Sequence, residues 1–237
     1  MSLLTCEWRK LAFANYTVSP EILEKHLPAY TKLDFFNGLC FLSLVAFQFK
    51  NVKIGGVQIP FHRNFEEINL RFYVKRFDGS IWRKGTVFLS EIVDKTALSF
   101  LANSLFHENY RTLPTKQKIE EKDDSLEVSY SWEYEKEWQN FRMSSNKLPS
   151  PIDGNSEAEF ILDRFWAYGK HNDKETNEFK ISHPTWQTYQ VKDYQIEVDF
   201  SKVYGTDLSF LRTSPPHSVF LAEGSPVVAE RITKINS

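Results

Sequence analysis

Alternating apolar and polar residues between positions 59 and 74 form the most informative pattern in the chain. This segment reads IPFHRNFEEINLRFYV, and because side chains alternate between the two faces of a strand, it predicts a strand with two different faces. One face carries apolar residues: Ile68, Leu70, Phe72 and Val74. The other carries polar ones: Glu67, Asn69, Arg71 and Tyr73. The polar face is either a solvated surface or the lining of a cavity, and the pattern leaves both open.

Most of the surrounding segments also predict strands. Residues 39–49 are apolar on both faces, as is typical of a central strand. Gly55-Gly56 and Asp78-Gly79 are turn signals on either side of the half-polar strand, and residues 85–93 follow as its expected partner. Further strand-like segments lie at 126–134, 165–170, 178–182, 194–200 and 219–223. The sequence therefore predicts many short strands in one large sheet.

Three segments predict helices. Ser19 is a suitable N-cap for a short helix that begins at Pro20 and ends before Pro28. Residues 96–107 carry an apolar stripe at helical spacing, and Ser156 caps a short helix over 156–163. We interpret residues 144–155 as a loop that could form a lid rather than a domain boundary. The fold class expected is α+β, mainly β, in a single domain over residues 1–237.

Composition and charge exclude several classes of function. The formal net charge is -2 with 41% hydrophobic residues, so no overall field recruits nucleic acid or an anionic membrane. The N-terminus has no signal-peptide pattern, and no apolar run reaches the length of a membrane span. We therefore expect a cytoplasmic protein whose partner is a small molecule, and the sequence is compatible with a homo-oligomer. Two cysteines and six scattered histidines indicate no metal site, and no cofactor motif is present.

Glu67 and Arg71 are the strongest candidates for chemistry. Four residues apart on one strand face they lie roughly 13 Å apart, so both can address a ligand between them. Arginine suits a carboxylate. A buried carboxylate beside it can act as an acid or base, with a pKa set by burial against the guanidinium charge. His62, just before the strand, is a further candidate, although a lone histidine in a loop more often has no role.

Several short blocks resemble the YqjF-like family of uncharacterised bacterial proteins. They are Trp8-x-x-Leu11, Asn15-Tyr16-x-Val18-x-Pro20, Ile59-Pro60-Phe61-His62, Phe65-x-Glu67-x-Asn69-x-Arg71-x-Tyr73-Val74, Asp163-Arg164-Phe165 and His183-Pro184-x-Trp186. That family is similar in fold to acetoacetate decarboxylase. The resemblance implies a cone-like antiparallel β-barrel with a few flanking helices, an enclosed cavity, and a polar face of the 59–74 strand that points inward.

The catalytic lysine of the decarboxylases has no counterpart at the expected place. Those enzymes form a Schiff base through a lysine of lowered pKa, which follows the strand and helix that correspond to residues 85–107. Residues 106–112 read FHENYRT and contain no lysine, and Lys116 lies beyond this position. The departure argues against Schiff-base decarboxylation and leaves such chemistry at Lys116 as a minor alternative. Glu67 is the residue that we match to the acidic site residue of the decarboxylases.

We therefore expect a small-molecule-binding barrel whose ligand carries an anionic or carbonyl group. Arg71 would hold that group and Glu67 would act as acid, base or hydrogen-bond acceptor. The ligand would be oriented by Asn69, Tyr73 and Tyr110. Two alternatives remain: a metal-independent lyase, hydrolase or isomerase that uses Glu67, and a structural or interaction protein without a ligand.

Overall fold

The computed structural model describes residues 2–58, 60, 62–95 and 109–236. Within them the strands are β1 (Ser2–Thr17), β2 (Lys32–Leu33), β3 (Phe41–Ile54), β4 (Val57–Gln58), β5 (Phe65–Phe77), β6 (Trp82–Val93), β7 (Tyr110–Thr112), β8 (Thr115–Glu121), β9 (Leu126–Tyr134), β10 (Glu137–Ser145), β11 (Trp166–Asn172), β12 (Glu175–Ser182), β13 (Thr188–Tyr189), β14 (Val191–Glu197), β15 (Ser218–Glu230) and β16 (Thr233–Ile235). The helices are α1 (Pro20–Glu24), α2 (Glu157–Leu162), α3 (Phe200–Tyr204) and a 3-10 helix at Thr206–Arg212.

Seven strands of the large sheet pair into a closed ring. Their order is β15-β1-β3-β5-β6-β11-β12, and β12 returns to β15 through the pairs Ile181↔Ala229 and Ser182↔Val228. The pairings in this ring are antiparallel except that of β6 with β11, which is parallel. The mainly-β α+β prediction is confirmed, with this one departure from the expected antiparallel pattern.

The parallel junction depends on a glycine. Gly85 in β6 pairs with Trp166 in β11. A Cβ atom at position 85 would lie 2.5 Å from the Trp166 carbonyl oxygen and 2.7 Å from the ring of Tyr168. Only a residue without a side chain allows these two strands to approach closely enough to pair, so Gly85 helps to close the ring.

The outer face of the ring is covered by a second sheet. This sheet has the order β14-β10-β9-β8, and its strand β9 alternates as the sequence predicts, with Leu126, Val128, Tyr130 and Trp132 buried. These side chains join one apolar cluster with residues such as Leu44 on the ring. The Tyr130 hydroxyl donates to the Lys10 carbonyl oxygen at 2.7 Å and so ties the two sheets together.

The inner face of the ring holds a second apolar cluster, and α2 packs into it. Phe160 and Ile161 of this helix are buried against inner-face residues. The helix begins as the sequence predicts, because the Ser156 hydroxyl accepts from the Glu159 backbone N–H at 3.1 Å. Arg164 follows the helix and pairs with Asp34 at 2.7 Å, with both side chains buried. The helix therefore fills part of the interior of the ring.

Several boundaries differ from the sequence-based expectations. The half-polar strand begins at Phe65 rather than at 59, because Pro60 lies in a turn and Arg63 and Asn64 lie in a bend. The predicted strand at 194–200 is divided, since β14 ends at Glu197 and Phe200 begins α3. The first strand, β1, was not predicted at all. The predicted helix at 96–107 lies outside the described residues.

The helices in the described part of the chain are short. Each has between five and seven residues, whereas a helix needs about 20 to cross a bilayer. None of these helices therefore has the length and apolar character of a membrane span.

Candidate functional site

A pocket of about 160 Å³ lies against the inner face of the ring. Most of its wall is apolar, and the residues that form this part are Leu3, Leu4, Trp8, Leu11, Phe47, Phe49, Val52, Ile54, Phe65, Phe88, Val93, Phe179, Ile181, Ala229 and Ile232. A cavity of about 150 Å³ with a similar wall holds benzene. The pocket therefore has room for a molecule of roughly six to ten non-hydrogen atoms.

One strip of the pocket wall is polar, and β5 supplies most of it. Glu67, Asn69 and Arg71 line the pocket with relative exposures of 3%, 1% and 6%. Phe72 and Val74 lie on the opposite face of the same strand and are fully buried in the apolar cluster that includes side chains of the second sheet. Both faces of β5 are therefore buried, which removes the solvated-surface interpretation of the polar row.

Glu67 accepts two hydrogen bonds within the site. Asn69 Nδ2 donates to its Oε1 at 2.9 Å, and the Tyr110 hydroxyl donates to its Oε2 at 3.0 Å. Burial raises the pKa of Glu67 to about 7, although both donors and the charge of Arg71 act in the opposite direction. The carboxyl group therefore changes its protonation state near neutral pH, which is the range in which a general acid or base is most useful.

Arg71 contacts two aromatic rings, those of Phe13 and Tyr73, and one backbone carbonyl group. Its guanidinium lies 5.0 Å from the centre of the Phe13 ring, and Nη2 donates to the Ile161 carbonyl oxygen at 3.4 Å. Within the described residues its buried Nε has no hydrogen-bond partner. Glu67 takes its hydrogen bonds from Asn69 and Tyr110, so Arg71 keeps donor capacity toward the pocket.

A second carboxylate in the pocket escaped the sequence-based prediction. Glu91 lines the pocket from β6 and is 3% exposed. A shift of register between Leu70 and Arg71 brings Phe88 and Glu91 to the same side, although one is even-numbered and the other odd. Such a bulge is hard to recognise in a sequence. The available signal is that Glu91 is the lone charged residue in the apolar segment 85–93.

The structure brings four of the six predicted site residues together at the pocket: Glu67, Asn69, Arg71 and Tyr110. Tyr73 is buried beside them, but it shares a hydrogen bond of 2.7 Å with Ser43 and is not a lining residue. His62 lies outside the pocket, with its Nδ1 2.8 Å from the Pro60 carbonyl oxygen. Whether the four residues bind a ligand stays a prediction.

Two minor hypotheses from the sequence, chemistry at Lys116 and a lid at 144–155, find no support at this pocket. Lys116 is exposed on β8, with its ammonium group 3.9 Å from the centre of the Trp138 ring, and no lysine is among the described lining residues. The loop at 144–155 is pinned by two backbone hydrogen bonds of 2.9 Å between Ser150 and Thr188. None of its residues lines the pocket, so the structure gives no support to the interpretation of this loop as a lid.

The residues that the structure describes contain no group of three His, Cys, Asp or Glu side chains placed to hold a metal ion. The polar groups of the pocket are carboxyls, an amide, a guanidinium and a phenol. Their chemistry is hydrogen bonding, ion pairing and proton transfer.

Solved structures of several enzymes share this fold. Acetoacetate decarboxylase from Legionella pneumophila superposes with a TM-score of 0.65 at 11% identity, over 98% of this chain and 86% of that one. The enduracididine biosynthesis enzyme MppR complexed with pyruvate gives a TM-score of 0.66 at 11% identity, over 99% of this chain and 91% of that one. At these identities the likeness concerns the fold alone, and it confirms the acetoacetate decarboxylase-like fold that the family resemblance implies.

Sequence comparison identifies the family. "Uncharacterized protein YqjF" of Bacillus subtilis (strain 168) is 25% identical over 224 residues, which cover 93% of this chain and 84% of that protein. The sequence model of DUF2071, described as an uncharacterized conserved protein, matches residues 5–226. The chain therefore belongs to the DUF2071 family.

Proposed function

We propose that this protein binds a small carboxylic acid or carbonyl compound with an apolar body in the pocket between β1, β3, β5 and β6. Arg71 holds the acidic or carbonyl group, and Glu67 exchanges a proton or a hydrogen bond with it. The observation that carries the proposal is the buried polar strip of Glu67, Asn69 and Arg71 on an otherwise apolar wall. A few polar groups in a mainly apolar pocket are typical of small-molecule sites.

The properties of Arg71 support an acidic or carbonyl ligand. A buried guanidinium is stabilised when it pairs with an acceptor, and its fork matches a carboxylate. The Nε atom has no partner within the described residues. The neighbouring fold relatives act on, or are complexed with, small oxo acids, namely acetoacetate and pyruvate by their names. These two acids are therefore the first probes.

The binding test is an NMR titration of the purified protein with pyruvate and with acetoacetate. We expect saturable binding, weakened about tenfold or more in Arg71→Met, because a hydrogen bond to a charged group contributes about 1.5–3 kcal/mol. Arg142→Met, an exposed residue of β10, is the matched control and should bind as the wild type does. Equal affinity in Arg71→Met and the wild type would contradict the assignment.

The pKa of Glu67 favours a second candidate function, a metal-independent acid–base enzyme. A carboxyl with a pKa of about 7 can remove a proton next to a carbonyl group and return it. The test is exchange of the pyruvate methyl protons in D2O, followed by proton NMR. An enzyme of this kind accelerates the exchange, and Glu67→Gln abolishes the acceleration while pyruvate still binds.

Glu66→Gln is the matched control for that experiment. Glu66 lies on the opposite face of β5, where it accepts a hydrogen bond of 2.8 Å from Thr115, so its replacement should leave exchange unchanged. Binding without accelerated exchange in the wild type would favour a ligand carrier or sensor over an enzyme.

A further inference from the structure

On the polar strip that β5 contributes to the pocket wall, two buried polar atoms lack a hydrogen-bond partner in the part of the chain that the structure describes. They are Asn69 Oδ1 and Arg71 Nε. Both side chains line the pocket, and their residues are 1% and 6% exposed. A buried polar atom without a partner is destabilising, and native proteins have few of them. A ligand bound in the pocket can supply a hydrogen-bond partner to each of these two atoms.

These two atoms have opposite requirements. Asn69 Nδ2 already donates to Glu67 Oε1 at 2.9 Å, so the amide oxygen is the atom that remains, and it can only accept. The guanidinium N–H of Arg71 can only donate. The two residues share one face of β5 and lie roughly 6–7 Å apart along the strand. A ligand that satisfies both atoms must therefore carry a donor close to its acceptor.

We propose that the pocket selects a small acid with a hydroxyl group beside its carboxylate, such as a 2-hydroxy acid, over the corresponding 2-oxo acid. This inference rests on the proposed function, because it concerns the ligand of the same site. The carboxylate accepts from Arg71, and the hydroxyl group donates to Asn69 Oδ1. A 2-oxo acid satisfies Arg71 equally well but places a carbonyl oxygen, which is a second acceptor, opposite the amide oxygen.

The apolar remainder of the wall sets the shape of the rest of the ligand. Phe47, Phe88 and Val93 line the pocket next to the polar strip, and each is the strand-register neighbour of a β5 pocket residue. A short hydrocarbon chain on the 2-hydroxy acid can be buried against them. The ligand class is therefore a 2-hydroxy acid with a small aliphatic side chain.

The test compares matched pairs of acids on the wild-type protein. The pairs are lactate with pyruvate, and 2-hydroxyisocaproate with 2-oxoisocaproate, each hydroxy acid as separate enantiomers. Titrations are made at pH 8.5, where Glu67 is ionised and cannot itself donate to the oxo group. We expect one enantiomer of each hydroxy acid to bind roughly three- to tenfold more tightly than its oxo counterpart, the range for one net hydrogen bond.

Asn69→Leu, with Asn69→Ala as a smaller second variant, removes the acceptor. Each should reduce the ratio of hydroxy-acid affinity to oxo-acid affinity to about one. Equal affinities in the wild type, or a preference that persists in both variants, would overturn the inference. If none of the four acids binds, the proposed function itself fails; if they bind without preference, only the hydroxy-acid assignment fails.

Discussion

The Tyr110 hydroxyl donates a hydrogen bond of 3.0 Å to Glu67 Oε2, which connects β7 to the polar strip on β5. The bond is possible because β7 runs parallel to β6, with Tyr110 beside Glu91, and β6 is the direct neighbour of β5. A phenol from a segment more than forty residues away therefore completes the surroundings of a buried carboxyl. Tyr110 is thus part of the machinery that sets the protonation of Glu67.

Replacement of Tyr110 by Phe should raise the pKa of Glu67. The phenolic donor stabilises the ionised carboxylate and so acts to lower the pKa, against the larger effect of burial. Without this donor, less remains to counteract the effect of burial, which raises the pKa of Glu67. The pKa can be followed by carbon-13 NMR of labelled glutamate side chains. Tyr194→Phe, on the exposed face of β14, is the control and should leave it unchanged. A Glu67 pKa that is the same in Tyr110→Phe and the wild type would refute the role of this hydrogen bond.

The raised pKa of Glu67 predicts that stability falls with increasing pH. The group has a pKa of about 7 in the folded protein against an ordinary value of 4.5, so the folded state holds its proton longer than the unfolded state. Its contribution to stability is fully present below pH 4.5 and is lost as the pH rises through about 7. The shift corresponds to about 3 kcal/mol.

Urea denaturation at pH 4.5 and pH 8 tests this dependence. In Glu67→Gln the loss of unfolding free energy between the two pH values should be smaller than in the wild type by about 3 kcal/mol, since Gln does not ionise. Glu120→Gln replaces an exposed carboxyl of β8 and should retain the wild-type dependence. The same pH dependence in all three proteins would show that folding does not raise the pKa of Glu67.

How far the site could be predicted depends on where each residue lies relative to β5. Alternation along one strand was enough to identify Glu67, Asn69 and Arg71, because the period of a strand is a local property. Glu91 depends on a bulge between β5 and β6, and β1 depends on its pairing with β3 and β15. These are relations between distant segments, and local residue preferences do not encode them.

His62 illustrates the opposite error, in which closeness in sequence was taken as closeness in space. It precedes β5 by three residues, but it is not among the residues that line the pocket, and its Nδ1 lies 2.8 Å from the Pro60 carbonyl oxygen. Tyr73 has the correct alternation and the correct face, yet it lies beyond the pocket, where its ring packs 5.5 Å from that of Phe160 on α2. Alternation therefore identified the face, whereas the packing of α2 determined where along that face the pocket ends.

The buried pair of Asp34 and Arg164 should be essential for stability. Arg164 donates from Nη1 to Asp34 at 2.7 Å and from Nε to the Phe160 carbonyl oxygen at 2.5 Å, at the end of α2. Asp34→Asn leaves the guanidinium buried without its counter-charge, which should cost about 3–5 kcal/mol in urea denaturation. Glu137→Gln breaks an exposed pair with Lys202 and should cost less than about 1 kcal/mol. Equal losses in the two variants would contradict the buried pair's importance.

Gly224 should be intolerant of any side chain, with an effect that reaches the pocket. It has a φ of +83°, and an added Cβ atom would lie 2.0 Å from the backbone oxygen of Trp8, on the facing strand. We expect Gly224→Ala to lower the unfolding free energy by roughly 2–5 kcal/mol through backbone strain and overpacking. Gly154 has open space around its Cα and no positive φ, so Gly154→Ala should stay within about 1 kcal/mol of the wild type.

The effect of Gly224→Ala can also be measured by ligand binding. Trp8 lines the pocket, and its backbone must move if position 224 carries a methyl group. Gly224→Ala should therefore weaken pyruvate binding in the NMR titration even at temperatures where the variant is fully folded, whereas Gly154→Ala should not. A folded Gly224→Ala protein with wild-type affinity would show that β1 can shift at Trp8 without changing the pocket, and the wall would then be defined by β3, β5 and β6 alone.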